Sequence, residues 1–337
     1  MTKLGEADLQ RYTDTAAAIE TAVGVKIAGQ SRLIRQTMVG LLAEGHVLLE
    51  GVPGLGKTEL VKAFSAAIGV DFGRVQFTPD LMPADIVGTQ VLEEDDQGHR
   101  RFQYRPGPVF TNLLLADEIN RATPKTQAAL LEAMQERHVT VAGQTRPLPR
   151  PFLVLATQNP IELEGTYPLP EAQLDRFMFK VTVDPPTADV LEEILRRTTT
   201  GHSSEVPSVA DSETITSLIA MTPQVPIASH LLRYVSLIVE ATHAEGNTAP
   251  PPVKRYVRWG SSPRGGQAMV MAAKAAALID GRPHVTADDI RWAAPAALRH
   301  RLVLGFEATA EGVKSDAIIE EVLKTTPEPK AEIRGAP

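Results

Sequence analysis

The sequence predicts an α/β domain built on a parallel sheet and followed by an all-helical domain. Three short apolar runs, at 46–49, 112–116 and 152–157, are typical of buried parallel strands, and polar residues follow each of them. Beyond residues 185–186, a Pro-Pro pair, the apolar residues recur at helical spacing over about 187–199, 211–221, 227–244, 263–280 and 286–299. We therefore assign residues 1–184 to the α/β domain, 185–323 to the helical domain, and 324–337 to a disordered tail rich in Pro, Lys and Glu.

The length, net charge and lack of cysteine exclude or disfavour several classes of function. A chain of 337 residues is long enough for two domains, and its net charge of −7, with Lys and Arg dispersed, disfavours a general nucleic-acid binder. The absence of cysteine excludes disulfides, thiolate catalysis and Cys-based zinc sites. Residues 1–8 lack the apolar core of a signal peptide, and the longest apolar stretch, 268–279, is too short to span a bilayer. We expect a cytoplasmic protein that does not insert into a membrane.

A glycine-rich loop follows the first predicted strand. Residues 51–58 read Gly-Val-Pro-Gly-Leu-Gly-Lys-Thr, which matches the G-x-x-x-x-G-K-[ST] pattern of a phosphate-binding loop. Glycines let backbone N–H groups approach phosphate oxygens, and the helix predicted next, up to Gly69, points its positive end at the same anion. A chance match on a glycine-rich turn is the alternative, but the strand before it and the helix after it argue against that. The sequence therefore predicts a nucleoside-triphosphate site.

Individual residues of this loop have expected roles. Lys57 can reach the outer phosphates of ATP, and the Thr58 hydroxyl can bind Mg²⁺. The residues that we assign to nucleotide binding are Gly51, Val52, Pro53, Gly54, Leu55, Gly56, Lys57, Thr58 and Glu59.

The second apolar strand runs directly into Asp117 and Glu118. Two carboxylates at the end of a buried strand are costly unless a cation lies there, and Mg²⁺·ATP would supply one. We expect Asp117 to hold the metal through its water shell and Glu118 to polarise the attacking water; an exposed acidic turn is the alternative. The third strand delivers Asn159 to the same edge, because open α/β sheets bind ligands at the carboxyl ends of their strands.

Four more segments have a predicted position or role. The apolar turn at 24–30 could cover an adenine ring, and ordinary packing explains it equally well. Arg264 falls in the first turn of a helix, where its charge opposes the helix dipole; a phosphate partner would explain it, and a solvated arginine is the alternative. Two surface hairpins are predicted, near 90–104 with an acidic tip at 93–98, and near 139–148.

Several motifs together resemble one protein family. The loop at 51–58, taken with Ala-Asp-Glu-Ile-Asn-Arg-Ala at 116–122, is similar to the motifs of P-loop NTPases of the AAA+ class, in particular the MoxR family. The segments at 76–83, 156–160 and 164–172 resemble the same family and are more specific than a phosphate loop alone. The resemblance covers about residues 20–310 and implies an AAA+ α/β domain with a C-terminal helical lid.

The resemblance also implies roles for single residues. Asn159 matches sensor 1, which helps Glu118 to place the water. Arg176, in Leu-Asp-Arg-Phe, matches the arginine finger that reaches the γ-phosphate of the neighbouring subunit. Arg264, in Ser-Pro-Arg-Gly, matches sensor 2 on the lid. The hairpin near 90–104 is similar to the helix-2 insertion, and the hairpin near 139–148 is similar to the pre-sensor-1 insertion.

Such proteins form rings, usually hexamers, and remodel protein clients as chaperone-like ATPases. Their partners often carry von Willebrand factor A domains, and they act in metal or cofactor insertion and in complex maturation. If one subunit offers Lys57 and Arg264 to the triphosphate, room remains for a cation from the neighbour. The alternatives are a magnesium-chelatase-like motor subunit and a nucleotide-gated scaffold that captures a partner protein. A nucleic-acid motor is disfavoured by the acidic balance and by the lack of a basic, aromatic-lined groove.

Overall fold

A computed structural model describes residues 4–52, 54–94, 99–159, 165–199 and 205–328. Five predicted features lie partly or wholly outside them. They are Pro53 of the loop, the tip of the first hairpin at 95–98, the last residue of the motif at 156–160, the first residue of the motif at 164–172, and the tail beyond 328.

Strands and helices alternate through the first half of the chain, and helices dominate the second half. The elements in chain order are α1 (Glu6–Lys26), α2 (Ser31–Leu42), β1 (Val47–Glu50), α3 (Lys57–Ile68), β2 (Phe72–Gln76), α4 (Pro83–Val87), β3 (Gly88–Glu94), β4 (Arg100–Pro106), β5 (Leu113–Asp117), α5 (Pro124–Glu136), β6 (His138–Val141), β7 (Gln144–Pro147), β8 (Leu153–Gln158), α6 (Glu171–Leu174), β9 (Phe179–Thr182), α7 (Ala188–Thr199), α8 (Ser212–Met221), α9 (Ser229–Ala241), α10 (Pro251–Tyr256), β10 (Val257–Trp259), α11 (Pro263–Ile279), α12 (Ala287–Leu298), β11 (Val303–Leu304), α13 (Phe306–Ala310) and α14 (Ser315–Thr325).

Five strands form one parallel sheet in the order β2-β5-β8-β1-β9. Leu49 of β1 lies opposite Thr157 of β8 and Val181 of β9, so the carboxyl ends of neighbouring strands align at one edge. Parallel strands require crossover connections, which place helices on both faces of the sheet. The predicted α/β class is therefore confirmed, and the edge that holds the ends of β1, β5 and β8 is the expected ligand edge.

The two faces of the sheet belong to two separate hydrophobic clusters. Leu48 and Leu114 pack into the cluster that contains α5, whereas Leu49 and Leu115 pack into the cluster that contains α1, α2 and α3. All four side chains are completely buried. Because both faces are covered, these strands read as continuous apolar runs rather than as alternating ones.

The C-terminal helices share their core with the N-terminal helix. Side chains of α11 and α12 belong to the same buried cluster as those of α1–α3. Tyr12 of α1 is fully buried, and its hydroxyl lies 2.9 Å from the hydroxyl of Thr222. The Thr13 hydroxyl donates to the carbonyl of Leu278, at 3.0 Å. Helix α1 therefore packs against both the α/β part and the helical part of the chain.

Some boundaries differ from the sequence prediction. Helix α1 ends at Lys26, three residues into the predicted turn at 24–30, and α14 includes Lys324, where the tail was expected to begin. The helical part also contains a short antiparallel pair, in which Val257 of β10 lies opposite Leu304 of β11. Strands of two or three residues are too short for a periodic pattern, and their pairing is non-local, so sequence periodicity does not reveal them.

Among the described residues, no single helix is long and apolar enough to cross a membrane. One pair of helices, 212–224 and 229–241, bent by 91° at its junction, meets the length and composition criteria together.

The buried His46 ties β1 to its neighbours at the amino edge of the sheet. Its Nε2 lies 2.9 Å from the carbonyl of Met134, and the backbone N–H of Val154 donates to Nδ1 at 3.0 Å. The ring is therefore neutral, with its proton on Nε2. Burial lowers the pKa of His46 to about 3, and the charge of Arg137 acts in the same direction.

This environment makes stability depend on pH. Above the ordinary pKa of 6.5, His46 is neutral in both the folded and the unfolded chain. As the pH falls from 6.5 towards 3, His46 becomes protonated in the unfolded chain but stays neutral in the folded chain. We expect His46 to lower the free energy of unfolding over that range, by up to about 1.4 kcal/mol per pH unit. Urea unfolding of His46→Asn should show a shallower pH dependence than the wild type, and an unchanged slope would contradict the assignment.

Candidate functional site

The loop between β1 and α3 has the backbone of a phosphate-binding loop. Gly54 and Gly56 have φ angles of +83° and +76°, a region in which side chains are strained, and no atom lies near their Cα positions on the side a Cβ would occupy. Gly51 is required for another reason, because a Cβ there would lie 2.8 Å from the carbonyl oxygen of Val183. The glycines of the motif thus serve two different needs, an open concave backbone and close contact with the chain beyond β9.

Lys57 is the first residue of α3 and lies next to the carboxylates of the site. Its Nζ donates to the carbonyl of Gly51, at 2.6 Å. Burial lowers the pKa of Lys57, and the negative charges of Asp117, Glu118 and Glu50 oppose that effect. The structure therefore brings the predicted lysine and the predicted acid pair into one electrostatic environment.

The acid pair is held by a threonine of the neighbouring strand. Asp117 ends β5, and the Thr157 hydroxyl of β8 donates to Asp117 Oδ1 at 2.7 Å. The same hydroxyl accepts from the backbone N–H of Glu118, at 2.8 Å. Glu118 adopts the left-handed conformation, with φ 55° and ψ 50°, which costs a non-glycine residue on the order of 1 kcal/mol. Thr157 is buried and fixes this strained turn.

Three polar contacts to the acid pair were not predicted. Arg74 Nη2 contacts Asp117 Oδ2 at 2.7 Å, and Gln76 Nε2 donates to Glu118 Oε2 at 2.8 Å. Arg121 Nη1 donates to the same Glu118 oxygen at 3.0 Å. Arg74 and Gln76 lie two residues apart on β2, and Gln76 is in register with Asp117. Only the strand order, with β2 beside β5, reveals the contacts of Arg74 and Gln76, whereas Arg121 lies three residues after Glu118 in the same turn.

A cavity of about 540 Å³ adjoins the phosphate loop. Its walls come from the end of α1, from the loop and from α7, and they are mostly apolar apart from Lys26, Gln30, Glu59, Arg197 and Thr198. The remaining lining residues are Val25, Ile27, Ala28, Gly54, Leu55, Gly56, Pro186, Leu191 and Ile194. The apolar turn that could cover an adenine ring therefore lies beside the loop, as a base-binding role requires.

Asn159 lies at the same edge of the sheet. It is buried and follows β8 directly, and β8 lies between β5 and β1. The structure thus collects the loop, the acid pair and Asn159 at the carboxyl edge, as the sequence predicts.

Arg176 and Arg264 lie at the opposite edge of the sheet. Both line a cavity of about 310 Å³ together with His46 and Met178, which precede β1 and β9 at the amino ends of those strands. A four-residue strand such as β1 spans about 13 Å. The structure therefore does not bring Lys57 and Arg264 to one triphosphate within a single chain. The expectation that one subunit offers both side chains to the same triphosphate is wrong for this arrangement.

The two arginines differ in their contacts. Arg264 Nη1 lies 3.7 Å from Asp175 Oδ2 and is about half exposed. Within the described part of the chain, the guanidinium of Arg176 has no hydrogen-bonding or ion-pair partner, although it is half-buried. An unpaired guanidinium at a partly buried position is available to an anion from outside the chain.

The donor set suits Mg²⁺ only together with phosphate oxygens. In the described ranges, no group of three or more His, Asp or Glu side chains is arranged to hold a metal ion. Thr58 and Asp117 would supply a hydroxyl and a carboxylate oxygen, which are ligands that Mg²⁺ prefers, with the nucleotide supplying further oxygens. The residues present therefore fit a metal that arrives with a nucleotide.

The fold and this site define a P-loop ATPase of the AAA+ class. The family model described as "ATPase family associated with various cellular activities (AAA)" matches residues 46–179, and the model described as "AAA lid domain" matches residues 253–322. A crystal structure from Cytophaga hutchinsonii, of a protein described as a candidate ATPase, superposes with a TM-score of 0.90. It is 38% identical, and the match covers 96% of this chain and 98% of that one.

Curated relatives identify the family more closely. The chain is 45% identical to Chaperone MoxR1 of Mycobacterium tuberculosis over 307 residues, which are 90% of this chain and 80% of that protein. It is 32% identical to the MoxR protein of Methylorubrum extorquens over 343 residues, covering 96% and 98% of the two chains. The chain belongs to the MoxR family of AAA+ ATPases.

The position of Lys57 leads to a prediction about binding. Lys57→Ala should weaken ATP binding by about 10- to 100-fold, because a charge-assisted hydrogen bond to phosphate is lost. Titration with a fluorescent ATP analogue measures this effect. Lys62→Ala, an exposed position on the same helix that pairs with Glu59 at 3.2 Å, is the matched control and should bind normally. Equal affinities for the two variants would remove Lys57 from the site.

Proposed function

We propose that this chain is the subunit of a ring, most simply a hexamer, that hydrolyses ATP at sites formed between adjacent subunits and uses the energy to remodel protein partners. The single observation that carries the proposal is the separation of the two halves of the site. The phosphate loop and acid pair lie at one edge of the sheet, and Arg176 and Arg264 lie at the other. A γ-phosphate bound by one subunit can meet these arginines only if another subunit supplies them.

This arrangement favours a ring over a two-fold dimer. Two different surfaces must meet, the loop edge of one copy and the arginine edge of the next, and such head-to-tail contacts close into rings or extend as filaments. The guanidinium of Arg176 is half-buried and has no partner among the described residues, which supports the proposal, since a charge held in this way is ready to bind a phosphate group. The resemblance to MoxR proteins favours the closed hexamer.

The roles of this chain's residues follow from their positions. The loop amides and Lys57 would hold the phosphates, and Thr58 with Asp117 would hold Mg²⁺, which bridges and neutralises phosphate oxygens when bound. Glu118 would orient and polarise the attacking water, with Asn159 beside it. Arg176 and Arg264 of the adjacent subunit would stabilise the charge that develops on the transferred phosphoryl group.

Remodelling of protein clients is proposed by analogy with relatives. The M. tuberculosis relative is named a chaperone, and the match covers most of both chains. A partner with a von Willebrand factor A domain, and clients that undergo metal or cofactor insertion, fit the family resemblance. We therefore expect ATP turnover to change when such a partner is added.

Mixed assemblies test the shared site. Glu118→Gln removes the water-polarising carboxylate, and Arg176→Ala removes the guanidinium, so each variant alone should bind ATP and turn it over at least about 100-fold more slowly. In mixed rings, a site that pairs an intact Glu118 with an intact Arg176 can form. Random 1:1 assembly would make about a quarter of the sites intact and restore about that fraction of wild-type turnover.

The measurement uses both variants co-expressed with different tags and purified over both tags, so that subunit exchange is not needed. A mixture of Glu118→Gln with Lys57→Ala is the control, because both changes affect the loop edge and no intact site can form. Mixed Glu118→Gln and Arg176→Ala rings that stay inactive, or Arg176→Ala rings with normal turnover, would refute the proposal.

The hydrogen bond from Gln76 to Glu118 leads to a second prediction. With Gln76 Nε2 on Oε2, the carboxylate is held against β2 and is less available to polarise water. Gln76→Ala should raise basal ATP turnover by about 2- to 10-fold, the equivalent of one hydrogen bond, with ATP affinity unchanged. Steady-state turnover with phosphate detection measures this. Gln10→Ala, at an exposed position of α1, is the control, and a Gln76→Ala protein slower than wild type would contradict the prediction.

A further inference from the structure

Asp175, the residue before Arg176, lies at the centre of a polar cluster that joins the α/β part to the helical part. Its carboxylate accepts from the Ser262 hydroxyl, at 2.8 Å to each oxygen, and from Arg301 Nε at 2.7 Å. Arg264 Nη1 is 3.7 Å away. The Asp175 side chain is only 18% exposed, so water screens these contacts weakly. One carboxylate thus contacts three side chains of the helical part.

Arg301 fixes the backbone around the arginine finger. Its side chain is 3% exposed, and Nη2 donates to the carbonyls of Asp175 and Phe177, at 2.9 and 2.7 Å. Nη1 donates to the carbonyl of Met178, at 3.2 Å. These carbonyls flank Arg176 on both sides, so the turn that carries the finger is held by a side chain of the helical part.

The residues before Arg301 extend this attachment along β9. Arg299 Nη1 donates to the carbonyl of Lys180 at 2.9 Å, and His300 Nε2 lies 3.0 Å from the carbonyl of Phe177. Residues 299–301 therefore contact the carbonyls of Asp175, Phe177, Met178 and Lys180, from the turn into the first residues of β9. The end of α12 and the start of β9 form one rigid connection.

Ser262 links the same carboxylate to Arg264. It is the N-cap of α11, and its hydroxyl accepts from the backbone N–H of Arg264 at 3.2 Å while donating to Asp175. The first turn of α11 is thereby positioned by Asp175 through both the cap and the guanidinium. One carboxyl group, that of Asp175, thus helps to position both arginines, although they lie 88 residues apart in sequence.

We propose that Asp175 is a positioning residue that holds Arg176 and Arg264 as one unit, so that the helical part and the finger move together against the nucleotide of the adjacent subunit. This inference rests on the proposed function, since it assumes that both arginines act on a neighbour's phosphate. Asp175 itself faces its own chain and has no part in binding the nucleotide.

Asp175→Asn is the first variant to test, because the amide keeps the shape and one acceptor oxygen but removes the charge. We expect kcat to fall by about 10- to 100-fold, as displaced catalytic groups lose alignment, while the dissociation constant for ATP stays unchanged. Co-purified rings with Glu118→Gln should recover turnover, because the Asp175→Asn subunit still provides an intact loop edge. In an Arg176→Ala, Arg264→Ala background, Asp175→Asn should cause no further loss.

Two more variants separate positioning from general stability. Asp316→Asn removes the negative charge that lies 2.9 Å from Arg299 without touching the 175–178 turn, and it should leave kcat unchanged. Ser262→Ala removes one of the contacts to Asp175 and should lower kcat by about 2- to 10-fold, and it stays informative if Asp175→Asn does not fold.

The outcomes distinguish the two proposals. If mixed Glu118→Gln and Arg176→Ala rings regain activity, but Asp175→Asn and Ser262→Ala keep normal kcat, or Asp175→Asn still lowers kcat in the double-alanine background, the positioning role is wrong and the shared site stands. If no pair of variants regains activity, the shared site itself is wrong.

Discussion

In a parallel sheet every strand points the same way, and this constraint organises the whole protein. The carboxyl ends of β1, β5 and β8 present the loop, the acid pair and Asn159, while the amino ends of β1 and β9 border Arg176 and Arg264. The core that holds this sheet is apolar and close-packed on both faces, and the two edges are separated by the length of the strands between them. A chain built in this way carries the phosphate loop and the two arginines a strand length apart, which is the arrangement from which we propose a site shared between subunits.

At the loop edge, the carboxylates of Asp117 and Glu118 are hydrogen-bonded to side chains of their own chain. Thr157 fixes the strained turn at Glu118, while Arg74, Gln76 and Arg121 occupy carboxylate oxygens. These contacts lower the cost of bringing two carboxylates together, and a metal-bound nucleotide would compete for the same oxygens. If a nucleotide binds as we propose, the acids would have two alternative sets of partners, which is the requirement for a switch between resting and active arrangements.

At the arginine edge, one carboxylate has several partners and one guanidinium has none among the described residues. Asp175 is shared by Ser262 and Arg301 and lies near Arg264, whereas Arg176 stays unpaired among the described residues. A largely buried aspartate with several donors is rigid, because each lost contact would leave a charge poorly solvated. The helical part is consequently attached to the strand next to the finger. In the proposed ring, motion of the helical part would be transmitted through Arg176 to the adjacent subunit.

The sequence by itself determined the α/β class, the phosphate loop, the acid pair and Asn159, because each is a contiguous motif at the end of an apolar strand. It also indicated Arg176 and Arg264, through the family resemblance. Only the tertiary structure decided that these arginines share an edge opposite the loop, and that Thr157, Arg74 and Gln76 surround the acids. The physical reason is that such contacts join residues distant in sequence, and strand order and the docking of α12 on β9, which local periodicity does not encode, determine which of them meet.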